Sequence, residues 1–153
     1  MSKHSVSVEW SRQGATFTDR RYSRAHRWTF DGGAVVHASS SPDVVRVPFS
    51  DPAGVDPEEA YVAALSSCHM LWFLDIAAQA GHVVDSYVDH AEGRMARRPD
   101  GRDWVAEVDL RPQVSFVGPA PDAQALAALH HRAHESCFIA NSVKTEVRVV
   151  NPM

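Results

Sequence analysis

Two cysteines are the residues of this chain best suited to reactive chemistry. Cys68 falls in the run Ala63-Ala64-Leu65-Ser66-Ser67-Cys68-His69-Met70, and Cys137 in Ala133-His134-Glu135-Ser136-Cys137-Phe138. Far apart and outside any CxxC spacing, they can build neither a disulfide scaffold nor a four-thiolate zinc site. They are either small buried core residues or a redox pair. A cysteine in the middle of an apolar helix is usually inert packing. Redox work requires a second thiol within disulfide reach, with Cα atoms inside about 7 Å. It also requires a cation to favour the nucleophilic thiolate. Cys137, where a helix should end, can be approached by another thiol without breaking that helix, but sequence alone does not show that the two meet. Arg24, in Tyr22-Ser23-Arg24-Ala25-His26, has the length to reach a site. By default it is a solvated loop arginine, and Glu58 by default a helix-start carboxylate.

Histidines offer a second chemistry. His130, His134 and Cys137 stand at i, i+4 and i+7 and would share a helical face, a spacing that can bind zinc or copper. The His130-His131-Arg132-Ala133-His134 run fits a solvated face better, and a metal there would occupy the second thiol. His69 adjoins Cys68, but adjacent helical side chains point about 100° apart, so it is expected to turn elsewhere. Trp72, Phe73 and Leu74 read as core or as an apolar wall.

These residues must be placed by secondary structure. Val6, Val8 and Trp10 alternate with polar neighbours as a strand does, and Arg27 to Phe30 and Ala34 to His37 flank the turn Asp31-Gly32-Gly33. Residues 39–54, rich in Ser, Pro and Asp, read as a loop. Asp56, Pro57, Glu58 and Glu59 together mark a helix start, and the helix runs to about Gly81, roughly 36 Å. Val83 to Met95 and Trp104 to Phe116 read as one long hairpin around residues 97–101. Asp122 caps a second helix over residues 123–136, and Lys144 to Val150 alternates as a closing strand. The order βββαββαβ predicts a single α+β domain over residues 1–153. Exposed sheet edges and a long apolar helix in so small a chain predict that a second copy completes the burial, a homodimer.

With 15 Lys+Arg against 19 Asp+Glu, the chain has no excess positive charge for nucleic acid or an anionic membrane. Ser66, Ser67, His69, Asp75 and Gln79 interrupt the longest apolar stretch, so no membrane span is expected. The first ten residues have no apolar signal core, and a cytoplasmic setting is expected.

The segments Tyr22-Ser-Arg-Ala-His26, Asp56-Pro-Glu-Glu-Ala60, Ala64-Leu-Ser-Ser-Cys68-His69-Met70-Leu71 and that around Cys137 resemble the OsmC/Ohr group of bacterial hydroperoxide-detoxifying proteins. The resemblance spans nearly the whole chain. It implies an OsmC-like fold, with antiparallel sheets wrapped around two long central helices in an intertwined homodimer. It further implies a thiol-dependent peroxidase acting on organic hydroperoxides. Cys68 would be the peroxidatic thiol and Cys137 the resolving one, with Arg24 stabilising the thiolate and Glu58 positioning Arg24. A dithiol of the lipoyl type would regenerate the enzyme, without metal, flavin or haem. Glu58 lies ten residues before Cys68, about 15 Å along a regular helix, so any help it gives Cys68 is expected from the partner subunit. His69 departs from the aromatic residue that commonly follows the first cysteine in this group. The alternative function is a non-catalytic thiol protein of the same fold, sensing redox state or binding a small ligand.

Overall fold

The computed structural model describes residues 1–152 and divides into two compact units, one spanning Met1–Ala60 and the other beginning at Tyr61. In the first unit, β1 (Val6–Glu9), β2 (His26–Phe30) and β3 (Val35–Ala38) form an antiparallel sheet in that order. Trp28 of β2 pairs with Val8 on one side and Val36 on the other. Gly33, at φ +86°, makes the turn between β2 and β3, a conformation open to glycine without steric cost. The loop that follows folds back on β3. Ser39 Oγ accepts from the Asp51 N–H, and a Cβ on Gly54 would come within 2.9 Å of Ala38 and Ser39.

Helix α1 (Pro57–Gln79) starts with a reciprocal cap. The Glu59 N–H donates to Asp56 Oδ1 at 2.7 Å while the Asp56 N–H donates to Glu59 Oε2 at 3.2 Å. Its C-terminus is closed by Gly81 at φ +84°, with the His82 N–H bonded to the Ala77 carbonyl. By length and apolar composition alone α1 could cross a membrane. Its buried residues Leu65, His69, Phe73, Ile76 and Ala77 instead lie in a protein core, recurring at the spacing of one helical face.

The expected long hairpin of the second unit is divided between two sheets. One antiparallel pair joins β4 (Val83–Asp89) to β7 (Pro112–Val117), and the other joins β5 (Glu92–Arg97) to β6 (Asp103–Leu110). The chain changes sheet at His90-Ala91 and again at Arg111, where the Arg111 N–H donates to Asp89 Oδ1. The closing strand β8 (Glu146–Val149) lies parallel to β6, an exception to the antiparallel arrangement. Helix α2 (Ala123–Ser136) is capped by Asp122, which accepts from the Ala125 N–H. Phe73, Ile76 and Ala77 of α1 pack with Leu126, Leu129 and Ala133 of α2 and with Val84, Tyr87, Val114 and Phe116 of the β4–β7 pair. Leu65 packs with Val108, Leu110 and residues of β8 in a second cluster.

Candidate active site

Within the second unit the structure brings the two cysteines together. Both are free thiols. Cys68, on α1, is half-buried, whereas Cys137, the C-cap of α2, is only 1% exposed. Burial pushes the Cys137 thiol up to about 11, and the hydrogen bond and charge of the neighbouring Cys68 push in the same direction. Backbone N–H groups of Ala140 and Ile139 oppose the rise, and the Ala140 N–H lies 3.4 Å from the sulfur. These donors come from the start of the 3₁₀ turn Ala140–Ser142 and from the residue that caps it, Ile139; the turn is held by the Asn141 side chain on the Glu135 carbonyl and by Ser142 Oγ on the Phe138 carbonyl. Cys137 stands at the helix end, as its sequence setting predicts, while the turn that cradles it was not among the expected elements. The signal was present in Asn141 and Ser142, both turn-forming residues.

An apolar edge accompanies the pair in sequence. Trp72 packs edge-on against Phe138, with ring centroids 5.3 Å apart, while Phe138 and Leu71 remain 67% and 61% exposed. Trp72 and Leu74 are half-buried around the core and Phe73 is within it, as expected of that run.

His69 meets His130 of α2, a contact absent from the sequence expectations. Its Nε2 lies 3.0 Å from His130 Nδ1, and the two rings are parallel to within 5°. Burial lowers both imidazoles to about 4; for His69 the charge of His134 adds to this and that of Asp89 opposes it. His130 is therefore not on a solvated face. Its neighbours His131 and Arg132 are the exposed members of that run, and His131, its side chain 72% exposed, pairs with Glu135. The reason is helical period: His130 continues the buried series Leu126, Leu129, Ala133 and Cys137. Among the described residues no group of three or more His, Cys, Asp or Glu side chains is arranged to hold a metal ion.

Arg24 and Glu58 lie in the first unit. The Arg24 guanidinium sits 3.8 Å over the Tyr22 ring, its Nη1 donates to the Arg20 and Tyr22 carbonyls, and its backbone N–H donates to the Phe49 carbonyl. Tyr22 in turn stacks on Phe17 and meets Trp10 edge-on. Among neighbouring arginines, Arg27 is paired with Glu9, and Arg21 lies over Phe49 at 5.9 Å. Glu58 is half-buried in the first turn of α1, where Asp56 and Glu59 supply the cap. Among the described residues no ion pair joins Arg24 to Glu58 within this chain.

The sequence model of the family described as OsmC-like protein matches residues 50–150. No curated protein matches the chain. It is 55% identical, over 100% of both chains and with a TM-score of 0.95, to an OsmC-like protein of unknown function from Vibrio cholerae O1 biovar eltor. An organic hydroperoxide resistance protein from Elizabethkingia anophelis shares the fold at 14% identity, with 99% of this chain and 97% of that one covered and a TM-score of 0.72. The organic hydroperoxide resistance protein OhrB of Bacillus subtilis does so at 15% identity, with 99% and 98% covered and a TM-score of 0.69. The family match, the full-length likeness and the α+β arrangement agree, and the chain belongs to the OsmC-like protein family.

Proposed function

We propose that this protein is a cysteine-based reductase of organic hydroperoxides. The observation that supports the reading most directly is the meeting of a half-buried thiol with a buried one across α1 and α2. In the proposed cycle the Cys68 thiolate attacks the distal peroxide oxygen and the O–O bond breaks. The departing alkoxide takes a proton to become an alcohol, and Cys68 is left as a sulfenic acid. Cys137 then attacks the Cys68 sulfur; its thiol proton and the hydroxyl leave together as water, and a disulfide remains. An external dithiol of the lipoyl type returns both sulfurs to thiols by exchange.

Arg24 is assigned to the Cys68 thiolate, and Glu58 to the positioning of Arg24, on the strength of the family resemblance. The protein is proposed to act as a cytoplasmic homodimer, in keeping with its exposed apolar residues, Leu71 and Phe138 among them. The test is the intact mass after one equivalent of cumene hydroperoxide. Loss of two hydrogens, with Cys68 linked to Cys137 in the peptide map, is expected. Absence of reaction, or slow unlinked oxidation at either sulfur, would refute the peroxidase and favour the non-catalytic thiol protein.

A further inference from the structure

Both thiols and a second pair of reactive-type side chains sit on the same two helices of the second unit. Along the seam between α1 and α2, Cys68 meets Cys137 and His69 meets His130. Further along, Phe73, Ile76 and Ala77 meet Leu126, Leu129 and Ala133. The histidine pair is thus a polar link between the thiols and the apolar core. Its members are 1% and 2% exposed, and Phe73 stacks on His130 with centroids 4.3 Å apart.

Two neutral imidazoles can share one N–H···N bond, as the 3.0 Å separation requires. Their outer nitrogens, His69 Nδ1 and His130 Nε2, are buried without a partner, and so is the Tyr87 hydroxyl on β4. A further proton would place a charge in an apolar seam, and two would set like charges at hydrogen-bond distance. The charged and titratable groups facing the pair divide in sign. His134 on α2 opposes a proton on His69, whereas Asp89 on β4 favours one. Asp89 is already engaged by Ser66 Oγ and the Arg111 N–H. Tyr87 is held neutral by burial, its ionisation pushed well above the ordinary range.

We propose that His69 and His130 are positioning residues for the resolving thiol: the neutral pair closes the α1–α2 seam and holds Cys137 buried against Cys68, and proton uptake opens it. As a step in catalysis this rests on the hydroperoxide-reductase reading. Closed, burial holds both imidazoles neutral well below their ordinary value; opened, they take up protons near the ordinary histidine value of 6.5. Acid therefore favours opening, by up to about tenfold per pH unit for each histidine below that value.

In Cys68→Ser protein, the rate at which a dipyridyl disulfide modifies Cys137, divided by its rate with free cysteine at the same pH, reads the opening. Between pH 7 and pH 5.5 this ratio should rise by about tenfold or more while the helical circular dichroism stays constant. The double change His69→Gln and His130→Asn puts amides where Nε2 and Nδ1 stand, keeping a hydrogen bond that does not titrate. Its ratio should be low and flat. His130→Leu, which breaks the shared bond but leaves His69 to titrate, should be higher than the parent at pH 7 and rise less steeply on acidification. A parent ratio that does not change with pH, or an amide variant that still responds, overturns the proposal. So does exposure of Cys137 only in step with loss of the helical signal, since that is global unfolding. Hydroperoxide consumption by the two-cysteine protein at pH 7 reports separately. A pH-dependent ratio in a protein that consumes none would refute the peroxidase reading while upholding the latch.

Discussion

The two sulfurs differ because their surroundings differ. Cys137 ordinarily would ionise near 9; burial and the adjacent Cys68 move it to about 11, a shift that lowers its thiolate fraction at pH 8 by about 100-fold. Iodoacetamide at pH 8 should therefore modify Cys137 at least about 100-fold more slowly than an exposed cysteine of ordinary pKa in a reference peptide, measured by peptide mass against time. Comparable rates would mean that the burial is not maintained in solution. Arg24→Ala should slow Cys68 alkylation near neutral pH and move its midpoint upward, if the guanidinium holds the thiolate. An unchanged profile would point to another arginine.

Asp109 on β6 is a second residue whose environment decides its behaviour. Its side chain is 6% exposed and is engaged by Arg94, Arg111 and Arg148. The hydrogen bond from Arg148, ahead of the other charges, holds the carboxyl below its ordinary 3.8. That stabilisation is present above the ordinary value and is lost as pH falls through the lowered one. Because the arginines are 37–42% exposed, solvent screens them. Asp109→Asn is expected to cost about 2 kcal/mol in urea unfolding at pH 7, with the difference from the parent shrinking below about pH 4.

At the scale of elements, α1 is tied down at its start and closely packed in its second turn. Asp56→Ala removes one side of the reciprocal cap and should cost about 1 kcal/mol. A Cβ on Gly93 of β5 would lie 2.6 Å from Val62 Cγ2, so Gly93→Ala should cost about 1–3 kcal/mol, visible as a lowered urea midpoint. An unchanged midpoint would show that Val62 can give way freely. The helices were readable in the sequence because their signals are local: a proline and acids at the start of α1, a glycine after its end, Asp122 before α2. The sheets were less so. Nothing in the composition of residues 83–95 marks His90-Ala91 as the crossing from one sheet to the other, and the parallel pairing of β8 with β6 joins residues 39 apart, as Asp109 with Arg148. The thiols were legible as residue types, and their meeting depended on that tertiary folding. The histidine pair was legible in principle, since positions 65, 69, 73 and 76 and positions 126, 130, 133 and 137 each follow one helical face.

The whole molecule carries more apolar surface than its charge pattern accounts for. Leu71, Val83, Val88, Val117 and Phe138 are each more than 45% exposed in a single chain. Sedimentation equilibrium of the full chain should return about twice the 16.8 kDa chain mass, and a monomer at micromolar concentration would remove the proposed homodimer. The family relationship covers the architecture, while the relative with 55% identity is itself of unknown function.

The cradle around Cys137 bears on how the proposed disulfide would end. With one sulfur buried beside the Ala140–Ser142 turn and the other half-buried, an incoming dithiol would meet Cys68 first, and Cys137 would be the leaving group. A sulfur that resists ionisation leaves slowly. The oxidised protein would then outlive the peroxide that made it, and the supply and strength of reductant, more than the encounter with peroxide, would set the pace of turnover.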